Sequence, residues 1–148
     1  MTDTSSTLTG HCLCGAVALT VQQASRDIEV CHCEMCRKWS GGPLFCLHTV
    51  AEGDVGVTGE EHVVRYRSSD WAERAFCGRC GSNLWYQLLP AGTRTVTAGL
   101  FDLPQDFAVT QQIFVDERPH WARLAGETVE KTGPQIHAEA EAAGLVTK

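Results

Sequence analysis

The sequence predicts a mainly β protein, a single domain spanning residues 1–148 and built from short antiparallel strands. Three observations predict it. The chain has 148 residues, a size at which one hydrophobic core forms and chains do not yet split into several domains. Seven runs of roughly five to eight residues, several rich in Val, Thr, Phe, Tyr or Trp, recur between Gly, Asp, Ser and Pro, the texture of half-buried strands. Helical patterning is scarce. The composition, 43% hydrophobic and 20% charged, is that of an ordinary globular chain and excludes intrinsic disorder.

In chain order, residues 15–22 (GAVALTVQ) alternate small or apolar groups with polar ones, as a strand with one buried face does. Residues 44–50, 62–67, 71–76, 83–88, 94–100 and 111–115 read the same way, which suggests a sandwich or curled sheets. Residues 135–145 (QIHAEAEAAGL) are Ala- and Glu-rich and fit a short C-terminal helix or a frayed tail. No apolar run approaches the ~20 residues needed to cross a bilayer, so no membrane association is expected. The first ten residues, MTDTSSTLTG, lack the basic and apolar regions of a secretory signal. The formal net charge of −6 disfavours a nonspecific polyanion binder, so no nucleic-acid partner is expected. The sequence leaves the oligomeric state open.

Eight cysteines stand out. Without an export signal a reducing, cytoplasmic compartment is expected, where closely spaced cysteines read as metal ligands or catalytic thiols rather than disulfides. They lie at strand starts and tight turns, in three clusters: Cys12-Leu13-Cys14 before Gly15; Cys31-His32-Cys33-Glu34-Met35-Cys36; and Cys77-Gly78-Arg79-Cys80 before Gly81. Cys46 stands alone in an apolar run and reads as a buried thiol. The C-x-x-C with its glycines resembles a zinc-ribbon knuckle, and the distant C-x-C supplies two further ligands. Cys12, Cys14, Cys77 and Cys80 would then close a tetrahedral structural zinc site. The competing reading is two unrelated pairs or redox dithiols. Cys31, Cys33 and Cys36 can hold one ion from a single short loop and leave its fourth position open, the arrangement of catalytic rather than structural zinc. The competing reading is a second closed site completed by Cys46 or His32, although His32 is expected to point away. An ion held by three thiolates is soft and suits a substrate thiolate as fourth ligand.

Together, residues 10–17 (GHCLCGAV), 31–41 (CHCEMCRKWSG) and 76–84 (FCGRCGSNL) resemble the glutathione-dependent formaldehyde-activating enzyme family, which also includes centromere protein V. Residues 99–102 (GLFD) and 113–121 (IFVDERPHW) look like that family's downstream segments. The resemblance covers about residues 8–125, leaving 126–148 as a C-terminal tail or short helix. It implies a zinc-stabilised, β-tent-like fold with two zinc ions, the outer four cysteines structural and Cys31, Cys33 and Cys36 catalytic. It also implies a zinc-dependent carbon–sulfur lyase that forms or cleaves an adduct between a small, glutathione-like thiol and an aldehyde such as formaldehyde. Arg37 and Lys38 are candidates to meet a substrate carboxylate or alkoxide, with a solvated loop face the competing role. Trp39, Trp85 and Tyr86 are candidate pocket walls, with core the commoner role. Ser40 and Gly41 are candidate donors beside the site, and His48 and His120 the histidines to inspect as proton shuttles. The competing functions are a noncatalytic zinc-stabilised binding module and a thiol redox protein cycling Cys31 or Cys33 with Cys36.

Overall fold

A computed structural model describes residues 6–23 and 25–145. Residues 1–5 and 146–148, which bear on the reading of the first ten residues and on the ends of the expected domain, lie outside the described residues. The chain is mainly β, with twelve strands in three small sheets and two α-helices among the described residues. Among the described residues no helix is long and apolar enough to cross a membrane.

The first sheet is a hairpin of β1 (Ser6–His11) and β2 (Ala18–Gln23), with β6 (Val55–Thr58) antiparallel to β2. Leu19 and Val21 alternate inward on β2 and are fully buried, the two-residue period read from the sequence. The second sheet runs β5–β10–β9–β8–β7 and is antiparallel throughout. Its strands are β5 (Val50–Ala51), β7 (Val63–Arg67), β8 (Ala72–Cys77), β9 (Asn83–Leu88) and β10 (Thr93–Val96). The third sheet comprises β3 (Asp27–Cys31), β4 (Leu44–Leu47), β11 (Ala108–Ile113) and β12 (Val129–Lys131). Here the expectation of antiparallel strands needs refinement: β3 pairs antiparallel with β4 but parallel with β11, which pairs parallel with β12. Parallel pairs require long crossovers, and the chain between β3 and β11 winds through the second sheet to make one.

The core lies where the sheets meet, with Leu8, Val17, Leu47, Leu84, Trp85 and Val96 packed around Cys12 and Cys77. A seven-residue helix, α1 (Glu34–Ser40), joins β3 to β4, and α2 (Gly133–Ala142) follows β12. α1 was not expected. Its cap is a cysteine, Cys33, whose Sγ accepts a hydrogen bond from Cys36 N, and Gly41 ends it at φ 85° in the left-handed region.

Gly59 follows β6 at φ +83°, and a Cβ there would collide with the Ala16 carbonyl in the turn that carries Cys12 and Cys14. Gly59→Ala should therefore cost about 1–3 kcal/mol or more. Thermal denaturation should show a Tm several degrees lower, and an unchanged Tm would mean that this approach is looser than described.

Candidate functional site

Two turns of like construction bring four sulfurs together. Cys12 N bonds to Val17 O (2.9 Å) and Gly15 N to Cys12 O (3.0 Å). Cys77 N bonds to Ser82 O (2.9 Å) and Gly81 N to Cys77 O (2.8 Å). Gly15 and Gly81 both sit at φ 81°, which a side chain would oppose. Ser82 Oγ stitches the turns together by accepting from Leu13 N at 2.9 Å. The Sγ atoms of Cys12, Cys14, Cys77 and Cys80 all lie within 4.8 Å of one another, with Cys12–Cys14 at 3.7 Å and Cys14–Cys77 at 3.9 Å. A zinc–sulfur bond of about 2.3 Å gives a tetrahedron with edges of about 3.8 Å, so the donor set fits a zinc ion in size and chemistry. All eight cysteines are free thiols. Cys80 is pulled down to about 5, chiefly by the Ser82 hydroxyl and backbone N–H.

The second group forms where β3 gives way to α1. Cys31 ends the strand, Cys33 caps the helix and Cys36 lies one turn on, buried. Their sulfurs are also within 4.8 Å of one another, and among the described residues no fourth His, Cys, Asp or Glu joins them. Cys33 is pulled down to about 2 by hydrogen bonds from Cys31 and Cys36, while Cys31 is pushed up by the same contacts and by burial. Cys46 packs beside the trio, and burial pushes its thiol up. His32 is buried and turned away, its Nε2 donating to Gln112 Oε1 at 2.7 Å.

Arg74, on β8, was not anticipated. It is 4% exposed, its Nη1 donates to Cys36 Sγ at 3.5 Å, and its guanidinium lies 5.1 Å from both the Trp39 and Tyr86 ring centroids. The usable signal was weak, because Arg74 follows Glu73 in the strand AERAFC and the two read together as a charged pair. Of the three candidate aromatic walls, Tyr86 lines the cavity beside the trio, and Trp39 packs against the trio and Arg74. Trp85 faces the opposite way, fully buried in the core beneath Arg94. Period-two alternation puts neighbouring strand residues on opposite faces.

The cavity measures about 550 Å³; beyond the three cysteines and Arg74 it is walled by Leu44, Trp71, Leu88, Ile113, Phe114 and Ile136. Ser40 Oγ lies 2.8 Å from the Cys36 carbonyl and 2.7 Å from that of Gly42, which fixes the helix end rather than a ligand. Lys38 is exposed and paired with Glu34 at 2.8 Å. Lys38, Arg37, Gly41, His48 and His120 do not line the cavity. His48 and His120 are exposed, and His48 is 3.3 Å from Glu29.

A profile of the glutathione-dependent formaldehyde-activating enzyme family matches residues 7–117. An uncharacterized lyase of Schizosaccharomyces pombe is 30% identical over 120 residues, 80% of this chain and 86% of that protein. A Halomonas elongata protein provisionally named as a glutathione-dependent formaldehyde-activating enzyme is 35% identical over 85 residues, 53% of this chain and 54% of its own. A crystal structure of a Rhodobacter sphaeroides protein superposes with a TM-score of 0.58 at 24% identity, covering 84% of this chain and 100% of the other, which shows a shared fold.

Structural zinc contributes on the order of 10–16 kcal/mol in small sites, comparable with the about 5–15 kcal/mol net stability of a domain. Cys77→Ser should therefore cut soluble yield sharply and unfold much of the chain at room temperature. Circular dichroism and elemental analysis check it, and a normally folded variant would remove the structural role of the four-sulfur group.

Proposed function

The chain belongs to the glutathione-dependent formaldehyde-activating enzyme family, and on that premise we propose that it is a carbon–sulfur lyase acting on the adduct of a small thiol and an aldehyde. The finer reading is a zinc-dependent enzyme of the S-hydroxymethylglutathione synthase type, with glutathione or a similar thiol and formaldehyde as reactants. One observation carries it: three thiol sulfurs converge beside a cavity, with no fourth donor among the described residues.

Cys12, Cys14, Cys77 and Cys80 would hold a structural ion, and Cys31, Cys33 and Cys36 the catalytic one. When bound at the three-sulfur group, zinc supplies a soft electrophilic position suited to a substrate thiolate. The protein's own groups do the rest. The Arg74 guanidinium, fixed between two aromatic rings, offsets the negative charge of the sulfurs. The cavity beside the sulfurs holds thiol and aldehyde together, which replaces a bimolecular encounter with an oriented one. The thiol sulfur forms a bond to the carbonyl carbon, and the π electrons move onto oxygen. The thiol's proton ends on that oxygen, so the addition is redox-neutral. Tyr86 is pushed up to about 12 by burial and keeps its hydroxyl proton at neutral pH, so it can donate a hydrogen bond to the developing alkoxide.

Elemental analysis followed by NMR of formaldehyde with a panel of thiols tests the reading. Two metal ions per chain and a thiol-dependent hemithioacetal signal that forms faster than without protein are expected; one ion and no acceleration would leave a metal-braced binding module. Cys36→Ser should abolish turnover while the far-UV spectrum and the other metal remain; retained turnover would take the three-sulfur group out of the mechanism. Tyr86→Phe should lower kcat by roughly 10²-fold, the scale of losing one oxyanion donor, with metal content unchanged.

A further inference from the structure

The three-sulfur group stands where the chain leaves regular pairing. Up to Cys31 the backbone is fixed by β3, whose Val30 and Cys31 pair with Gln112 and Ile113 of β11. From Glu34 onward it is fixed by α1. His32 lies in the gap, where its backbone adds one rung, His32 N donating to Ile113 O at 3.1 Å. Two ligands separated by a single residue depend on that residue, because turning it changes the distance and direction of both sulfurs.

His32 and Gln112 are each only 1% exposed. The imidazole Nε2 donates to Gln112 Oε1 at 2.7 Å, and Nδ1 is buried without a partner among the described residues. The ring's direction thus depends on one side-chain hydrogen bond. Gln112 is itself held from two further sides. Its Nε2 donates to Thr128 Oγ1 at 2.9 Å, and Arg118 Nη1 donates to its Oε1 at 3.4 Å. Arg118 in turn pairs with Glu130 on β12 at 3.2 Å. Two donors converge on Oε1, so the amide cannot turn over without setting its NH2 group against both. Two apolar side chains could fill this space without fixing a direction, whereas a satisfied buried network fixes one. His32, Gln112, Arg118, Thr128 and Glu130 do not line the cavity, so they act on the sulfurs from behind.

Resting on the reading that the three sulfurs hold an ion, we infer that Gln112 is a positioning residue of that group: through His32 it keeps Cys31 and Cys33 at the spacing one ion needs. Groups behind the ligands set metal affinity by orienting them, and losing one typically costs about 10–100-fold.

The test loads the full-length protein with Co2+, whose sulfur-to-metal charge-transfer absorption reports thiolate ligation, and withdraws the metal with increasing chelator. Cys36→Ser supplies the spectrum of the four-sulfur group alone. Gln112→Met should weaken the hold of the three-sulfur group by about 10–100-fold, with the four-sulfur signal and the far-UV spectrum unchanged. Gln112→Glu keeps an acceptor for His32 and Arg118, and the Thr128 hydroxyl can turn to donate to it, so its hold should stay close to that of the wild type. His32→Phe should reproduce the loss, and combining it with Gln112→Met should add little, since both break the same link. His32→Phe also carries the test where Gln112→Met does not fold. An unweakened three-sulfur group in these variants, an equal loss at both sulfur groups, or a loss in Gln112→Glu as large as in Gln112→Met would overturn the inference alone. A wild type that takes up one cobalt, in the four-sulfur group, would overturn the metal reading and this inference with it.

Discussion

Sulfur crowding sets the terms for the rest of this chain. Two like charges about 4 Å apart repel by about 4 kcal/mol at an effective dielectric of 20, so neither sulfur group can ionise fully on its own. In the three-sulfur group this shows as opposite shifts: hydrogen bonds from its neighbours pull Cys33 down, while the same crowding and burial push Cys31 up. A divalent ion bound there would remove that limit, and in the four-sulfur group it would also tie together turns 63 residues apart. Folding and metal binding would then be a single equilibrium for the first two sheets.

The two groups are coupled through one strand. β8 carries Cys77 on the face that joins the core and the four-sulfur group, while Ala72 and Arg74 face the cavity. Period-two alternation separates those duties on β8, and the register shift at Ala75/Phe76 places its extra residue, Leu84, on β9. The second sheet therefore positions the guanidinium beside Cys36 by the same pairing that closes the distant cluster.

What was legible in the sequence was mainly local. The cysteine spacings announced both sulfur groups because a ligand pair within one turn leaves a short signature, and β2, β8 and β9 announced themselves through alternation. α1 escaped because seven residues hold barely two turns and its cap was a cysteine already assigned to another role. β1, β3, β6 and β12 were passed over as well. β12 has only three residues and β6 four, too short for a pattern to stand out. The parallel pairing of β3 with β11 depends on contacts between distant parts of the chain that no local window contains. Trp85 and Tyr86 could not be told apart by type; only the face of β9 decides that one is core and the other cavity. Arg74 needed the fold to reveal its partner, because with Glu73 beside it the sequence offered only the reading of a charged surface pair.

The cavity draws on two separate stretches of the chain. All seven clustered cysteines lie by residue 80, whereas Ile136, His137 and Ala140 belong to a contiguous segment that enters the third sheet late, through β12. A substitution on α2 can therefore reshape one side of the cavity without displacing a sulfur.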